Sequence, residues 1–239
     1  MTRYTDGSYL KSNPTWHAQD SAWKLTHVQQ ALQRAAVGET HSVCDMGCGS
    51  GALIKAWAKQ SPQTLFTGYD ISPQALAICL QNCPANTVFV GGSKPPKGPF
   101  DLVLALDVLE HIDDEENWLR SIISCGEKIV LHIPLERSLY TWLRPGFIEE
   151  EKQLMGHVHF YTPKEVENIF KRNGLKILSW HYTNKYIEQP PELKTGISKL
   201  GMKIRRFLNW ILPTRLAAIT VGGYSVMCVV TRDTTNEAI

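Results

Sequence analysis

The stretch Val43-Cys44-Asp45-Met46-Gly47-Cys48-Gly49-Ser50-Gly51 constrains this chain more than any other. Ser42 to Met46 is a short apolar run that reads as a buried strand, and a helical pattern from Ala52 to Lys59 follows it directly. Between the two stand three glycines in five positions. A strand that must reverse into a helix while its backbone touches a ligand needs residues without a Cβ. The new helix then offers unpaired N–H groups and the positive end of its dipole at the same spot.

Gly47, Gly49 and Ala52 also fit the dinucleotide fingerprint G-x-G-x-x-G/A. Asp45 argues against that reading, because a carboxylate beside the loop repels a pyrophosphate and attracts an ammonium or sulfonium group. Downstream, Leu65-Phe66-Thr67-Gly68-Tyr69-Asp70 reads as a second strand ending in an acid, at roughly the spacing where a ribose is gripped. A ligand with an adenosine ribose at one end and a cationic amino acid at the other fits this pair of acids.

These residues resemble the class I S-adenosylmethionine-dependent methyltransferases. Asp45 to Gly51 is similar to the first motif of that family, and Asp70 to its ribose-binding acid. Asp101-Leu102-Val103-Leu104-Ala105-Leu106-Asp107-Val108-Leu109-Glu110-His111-Ile112 is similar to its fourth strand and the loop beyond. The likeness runs from Val43 to Ile133 and continues afterwards only in the order of elements. It implies an α/β fold: a Rossmann-like seven-stranded sheet with helices on both faces and an antiparallel C-terminal strand pair, in one domain over 1–239. It implies S-adenosylmethionine as cofactor, held by Asp45, Gly47, Cys48, Gly49, Gly51, Asp70, Ile71, Leu106 and Asp107. Ser93 stands where the family often carries an acid for the adenine amino group. An N-terminal cap, 1–40, commonly covers the cleft in this family, which makes Trp16, His17 and Lys24 candidates for closing it. The plain alternative is that Trp16 and Trp23 pack the helix of residues 22–36 onto the sheet.

A chain of 239 residues suits one such domain and can bury a large core. A net charge of +2 gives no electrostatic reason to expect a nucleic-acid partner. Six scattered cysteines suggest reduced thiols in a cytosolic protein. Cys79 and Cys83 share a helix face, but no second pair completes a zinc site, so core packing is expected of them. The first residues lack a signal peptide's apolar run, and no apolar stretch reaches membrane-spanning length. The expectation is a cytoplasmic protein, soluble or peripheral on a membrane.

Further elements read as a helix from Pro73 to about Asn82 and strands at 87–90, 101–106 and 128–133. A helix covers Glu115 to Ser124, another Glu165 to Arg172, and the last two strands fall at 175–182 and 224–231. Residues 134–162 form an unusually long connection, an expected acceptor lid whose Tyr140, Trp142 and Tyr161 are candidates for touching substrate. About forty residues separate the last two strands. In that insert, 185–222, no Asp or Glu occurs from Leu193 onward, and this holds through Arg232. Ile197, Leu200, Ile204, Phe207, Leu208 and Ile211 recur at helical spacing, with Lys194, Lys199, Lys203, Arg205, Arg206 and Arg215 around them and Trp210 at the flank. The segment 194–215 therefore reads either as an interfacial helix for an anionic membrane surface or as a helix packed on the domain with its lysines solvated.

Methyl transfer from a sulfonium needs chiefly an aligned acceptor, and a hydroxyl acceptor also needs a base. His111 and Glu110 stand where a base is useful, and His159 on the lid is the alternative; His157 reads as a surface residue. Asp107, Glu110 and His111 fall at i, i+3 and i+4, one helical face. The ubiquinone-pathway O-methyltransferases carry a similar acid-x-x-Glu-His stretch, and that resemblance implies Mg²⁺ on these three residues as a second option. The expected function is methyl transfer to a small, lipophilic or aromatic hydroxyl-bearing acceptor. Carboxyl or N-methylation of a peptide or polar metabolite is the alternative within the class, and a non-catalytic scaffold docking a membrane or partner is the alternative outside it.

Overall fold

The computed structural model describes residues 2–7, 10, 13, 15–16, 18–190 and 196–233, with the side chains of 2–3 and 196–199 excluded. Seven strands form one sheet: β1 (Ser42–Met46), β2 (Leu65–Asp70), β3 (Thr87–Gly91), β4 (Phe100–Leu106), β5 (Gly126–Leu135), β6 (Leu175–Thr183) and β7 (Tyr224–Arg232). Their order is β3-β2-β1-β4-β5-β7-β6, with β7 antiparallel to both its neighbours and the other pairs parallel. After a single helical turn at Thr2–Thr5, the helices are α1 (Ser21–Arg34), α2 (Ala52–Gln60), α3 (Pro73–Cys79), α4 (Glu115–Ile123), α5 (Leu139–Trp142), α6 (Phe147–Leu154), α7 (Pro163–Arg172), α8 (Lys185–Glu188), α9 (Gly196–Ile211) and α10 (Thr214–Thr220).

Alternation along the central strands builds two cores, one per sheet face. Val43, Leu102 and Leu104 join Leu25, Val28 and Ala31 of α1 and Leu53, Ile54 and Trp57 of α2. Their neighbours Cys44, Val103 and Ala105 point the other way, onto Leu119 and Ile122 of α4 and Val166, Ile169 and Phe170 of α7. This α/β sheet with its antiparallel end is the architecture that the resemblance implies. Cys44, Cys79, Cys125 and Cys228 are buried free thiols.

Local chemistry sets the helix ends. Ser72 accepts from Ala75 N at 3.3 Å ahead of Pro73, and Thr162 with Glu165 forms a reciprocal capping box on α7. α3 stops at Cys79 instead of reaching Asn82, which adopts a left-handed conformation (φ 52). β5 begins at Gly126, opposite Phe100 of β4, and runs past Pro134, because pairing with β7 continues to Leu135 opposite Tyr224 after β4 has ended opposite His132. The expected single basic helix over 194–215 divides: α9 ends at Ile211 and Pro213 opens α10. Lys194 and His17 lie outside the described residues.

Gly51 shows why the glycine loop tolerates no side chain. It sits at φ +68, and a Cβ there meets the Phe89 ring at 2.6 Å and Cys79 Sγ at 3.0 Å. Gly51→Ala combines a left-handed penalty with overpacking and is expected to destabilise the protein by about 2–4 kcal/mol in urea unfolding. A loss below half a kcal/mol shows that α2 shifts to absorb the methyl group.

Candidate active site

A cavity of about 380 Å³ opens at the carboxyl ends of β1, β2 and β4, the usual ligand position in an open α/β sheet. Its first wall is the glycine loop. Gly47 N and Cys48 N both donate to Tyr69 O, at 2.8 and 3.0 Å, fastening the end of β1 to β2. Gly47 has φ +82, and a Cβ there falls 2.6 Å from Val108. Trp16 sits over Gly49, its ring 3.7 Å from where a Cβ would stand. Trp16 and Trp23 both line the cavity, so the N-terminal segment contributes to its wall.

Two acids flank this loop. Asp70 accepts from Gly49 N at 2.9 Å and from Ser72 N at 2.8 Å, so one carboxylate ties the loop to the start of α3. Burial raises its pKa, against the lowering effect of those backbone donors. Asp45 is 4% exposed, and burial lifts its pKa to about 7, with Lys24 pulling down and Asp70 pushing up. Ile71 and Leu106 also line the cavity, together with Cys48, whose thiol pKa is raised by a hydrogen bond with Cys79 and by burial.

The opposite wall is built around Asp107, which follows β4 in a left-handed conformation (φ 56). Lys24 Nζ stands 2.6 Å from one of its oxygens and His132 Nδ1 2.5 Å from the other. Burial would raise the pKa of Asp107, but the charges and hydrogen bonds of His132 and Lys24 hold it well below the ordinary carboxylate range. Burial likewise opposes the charge on Lys24, and Asp107 outweighs it, so that amine's pKa is raised.

Glu110 follows in a single 3-10 turn, Leu109–His111. It is wholly buried, and among the described residues no other residue hydrogen-bonds either carboxyl oxygen. Burial, then the charge of Asp107, pushes its pKa well above the usual value, which favours the neutral carboxyl. The backbone carbonyl of Glu110 accepts from Val158 N (2.8 Å) and His159 N (3.1 Å), which clamps the lid segment against this turn. His157 is thereby buried, at 6% exposure, contrary to the surface position expected of it. Its ring centroid lies 4.8 Å from that of His111, and its Nδ1 is 2.8 Å from Glu136. His111 Nδ1 contacts Tyr4 Oη at 2.9 Å and the Gly156 carbonyl at 3.2 Å.

The set Asp107, Glu110 and His111 does not converge on a metal position, because both oxygens of Asp107 are engaged by Lys24 and His132. The ligand atoms that do lie within 4.8 Å of one another belong to Glu110, His111 and His157, and to Glu136, Glu151 and His157. The cluster around Glu110 offers one carboxylate and two imidazoles, which is not the oxygen shell that Mg²⁺ takes.

Several expected contacts fall elsewhere. His159 lies outside the cavity wall, one third exposed, with its ring against Glu115 and the Asp113 carbonyl. Tyr161 is buried and donates to Glu115 at 2.6 Å. Tyr140 and Trp142 sit on the outer surface of α5, and Ser93 is exposed beyond β3. Gly51 serves helix-sheet packing. Conversely, His132, His157 and Glu136 join the site from β5 and the lid. One sequence signal pointed to the first of these: a titratable ring in the middle of the apolar run 129–133.

A family profile described as "Methyltransferase domain" matches residues 16–179. The mitochondrial ubiquinone biosynthesis O-methyltransferase of Saccharomyces cerevisiae is 24% identical over 154 residues, 60% of this chain and 47% of that one, so the chain matches less than half of that relative. Among solved structures, the complex of the Haloferax volcanii Trm112 methyltransferase activator with a methyltransferase superposes with TM-score 0.63 at 15% identity, over 95% of each chain. Magnesium protoporphyrin IX methyltransferase from Synechocystis, with bound S-adenosylhomocysteine, superposes with TM-score 0.55 at 18% identity, over 93% of this chain and 86% of that one.

Asp45 gives the site a pH dependence of definite sign. Its folded pKa is raised, so it is neutral below about pH 7 and ionised above. Only the ionised form pairs with a ligand ammonium. Binding of S-adenosylhomocysteine, measured by calorimetry, is expected to be about tenfold tighter at pH 8 than at pH 6. In Asp45→Asn that dependence should vanish; a slope surviving the substitution assigns it to another group.

Proposed function

The chain belongs to the S-adenosylmethionine-dependent methyltransferases, and from that premise we propose that it methylates a hydroxyl group on a small lipophilic or aromatic acceptor. The observation that carries this reading is Glu110, a carboxyl at the cavity wall beside His111 whose two buried oxygens no other described residue hydrogen-bonds. A buried polar group without a partner is costly, and an acceptor hydroxyl entering the cavity supplies one. The wall around it is largely apolar, with Trp16, Ile112, Trp118, Pro134 and Met155, and suits a ring or an alkyl chain.

In this reading the cofactor occupies the glycine-loop end, its ribose toward Asp70 and its amino-acid end toward Asp45. The acceptor lies toward Glu110 and His111. S-adenosylmethionine held at the glycine-loop end would supply an electrophilic methyl group to the acceptor oxygen, with the sulfur as leaving group, and the hydroxyl proton would pass to His111. Nδ1 of His111 meets the Tyr4 hydroxyl at 2.9 Å, which can donate or accept, and the Gly156 carbonyl at 3.2 Å, which can only accept, so both contacts are satisfied with a proton on Nδ1. The imidazolium formed favours ionisation of Glu110 next to it. His157, oriented by Glu136, extends the path away from the acceptor. No step is routed through a metal, consistent with the poor donor set for Mg²⁺.

His111→Ala is expected to lower kcat by about 10²–10⁴-fold while changing S-adenosylhomocysteine affinity by no more than about twofold. The assay is methyl transfer to a panel of hydroxyl, carboxyl and amine compounds. A chelator should leave turnover intact. Undiminished kcat in the variant places the base elsewhere, and preferred turnover of carboxylates moves the acceptor to the other chemistry.

A further inference from the structure

We propose that the outer face of α9 is a docking surface for an anionic lipid bilayer. Leu200, Ile204, Phe207 and Ile211 recur at i, i+4, i+7 and i+11, one stripe of the helix, and they are 59, 52, 58 and 48% exposed. An amphipathic helix of a soluble domain normally buries that stripe. Here α9 is held through a different side: Leu208 and Leu212 pack on the core, and Asn209 accepts from the Tyr224 hydroxyl. Arg205 also points inward, donating to the Gly222 carbonyl at 3.0 Å with its guanidinium over the rings of Tyr140 and Tyr186. The most apolar stripe is therefore left facing solvent.

The flank of the stripe identifies what covers it. Trp210 is 82% exposed at its edge, and Lys203 and Arg206 stand exposed beside it. No carboxylate occurs from Leu193 through Arg232, so nothing in the segment opposes their charge. Aliphatic side chains edged by a tryptophan and by bases alone complement a surface with an apolar interior and an anionic rim, which is a bilayer and not a mixed-charge protein face. Through Arg205 and Tyr140, α9 adjoins α5, whose Trp142 is 78% exposed. Among the described residues no helix is long and apolar enough to cross a membrane, so the contact is in-plane. The helix α9 also lies near the cleft: Tyr224, bonded to its Asn209, precedes Ser225 in the cavity wall. Docking there brings the cavity to the bilayer, although the inference stands without any acceptor assignment.

The test is flotation of the full chain with phosphatidylcholine vesicles, with and without phosphatidylglycerol. Binding is expected to the anionic vesicles only, and to weaken as salt rises from about 0.05 to about 0.5 M. The pair Lys203→Glu and Arg206→Glu is expected to weaken it about tenfold or more, and Phe207→Ser with Ile204→Ser to abolish it. Thermal unfolding and S-adenosylhomocysteine affinity serve as folding controls and should match the parent chain. Equal binding to both vesicles, no binding to the anionic ones, or variants that bind like the parent overturn the proposal. So does a stable dimer that Phe207→Ser dissolves, because a second copy then covers the stripe.

Discussion

The ion cluster of Lys24, Asp107 and His132 is the interaction on which the rest of the site depends. It joins three elements remote in sequence: α1, the end of β4 and the middle of β5. Asp107 must leave β4 in a left-handed conformation to reach both partners, and aspartate tolerates that region better than most residues. Because Lys24 and His132 keep Asp107 ionised, its charge falls on Glu110 one turn away and adds to burial in raising the pKa of that carboxyl. A single charge, fixed in place, thus both fastens the N-terminal helix over the cleft and reinforces the effect of burial on its neighbour.

The lid is attached to the same turn by main-chain contacts. Two successive N–H groups, of Val158 and His159, share the Glu110 carbonyl. Main-chain bonds fix the segment whatever its side chains are, and they set His157 inward and His159 outward. A strand-like alternation here separates two histidines that are equivalent on composition alone.

Most strands were legible to within a residue or two, since a buried parallel strand shows as an unbroken apolar run and turns announce themselves by Gly, Pro and Asn. The glycine-loop end of the cavity was legible for a related reason. Gly47, Gly49, Asp45 and Asp70 are local to one strand–loop–helix unit and the strand beside it. The end around Glu110 was not, because its partners are set by tertiary packing. Nothing near Lys24 in the chain reveals that it meets Asp107, and nothing around Glu136 reveals His157. Asp107 itself misled: its spacing to Glu110 and His111 suggests one helical face, whereas the chain there passes through a left-handed residue and a short 3-10 turn. Aromatic residues in the lid misled in a similar way, since an exposed ring on α5 and a ring lining a cleft look alike in composition. The helix of the insert was legible in pattern, but periodicity reports that a stripe exists and not which way it faces.

Charge balance across the cavity bears on the order of events in methyl transfer. The raised pKa of Glu110 disfavours its charge and Asp107 is balanced by Lys24, so Asp45 and Asp70 supply the negative potential that an incoming ligand meets. A sulfonium cofactor brings a charge that this end attracts, and its ammonium group favours the ionised form of Asp45, whose proton is released to solvent. Once the methyl group has gone, the sulfur is neutral and that part of the attraction is lost, while the ammonium contact remains. The electrostatic attraction located at the sulfur is therefore stronger for a sulfonium than for a neutral thioether.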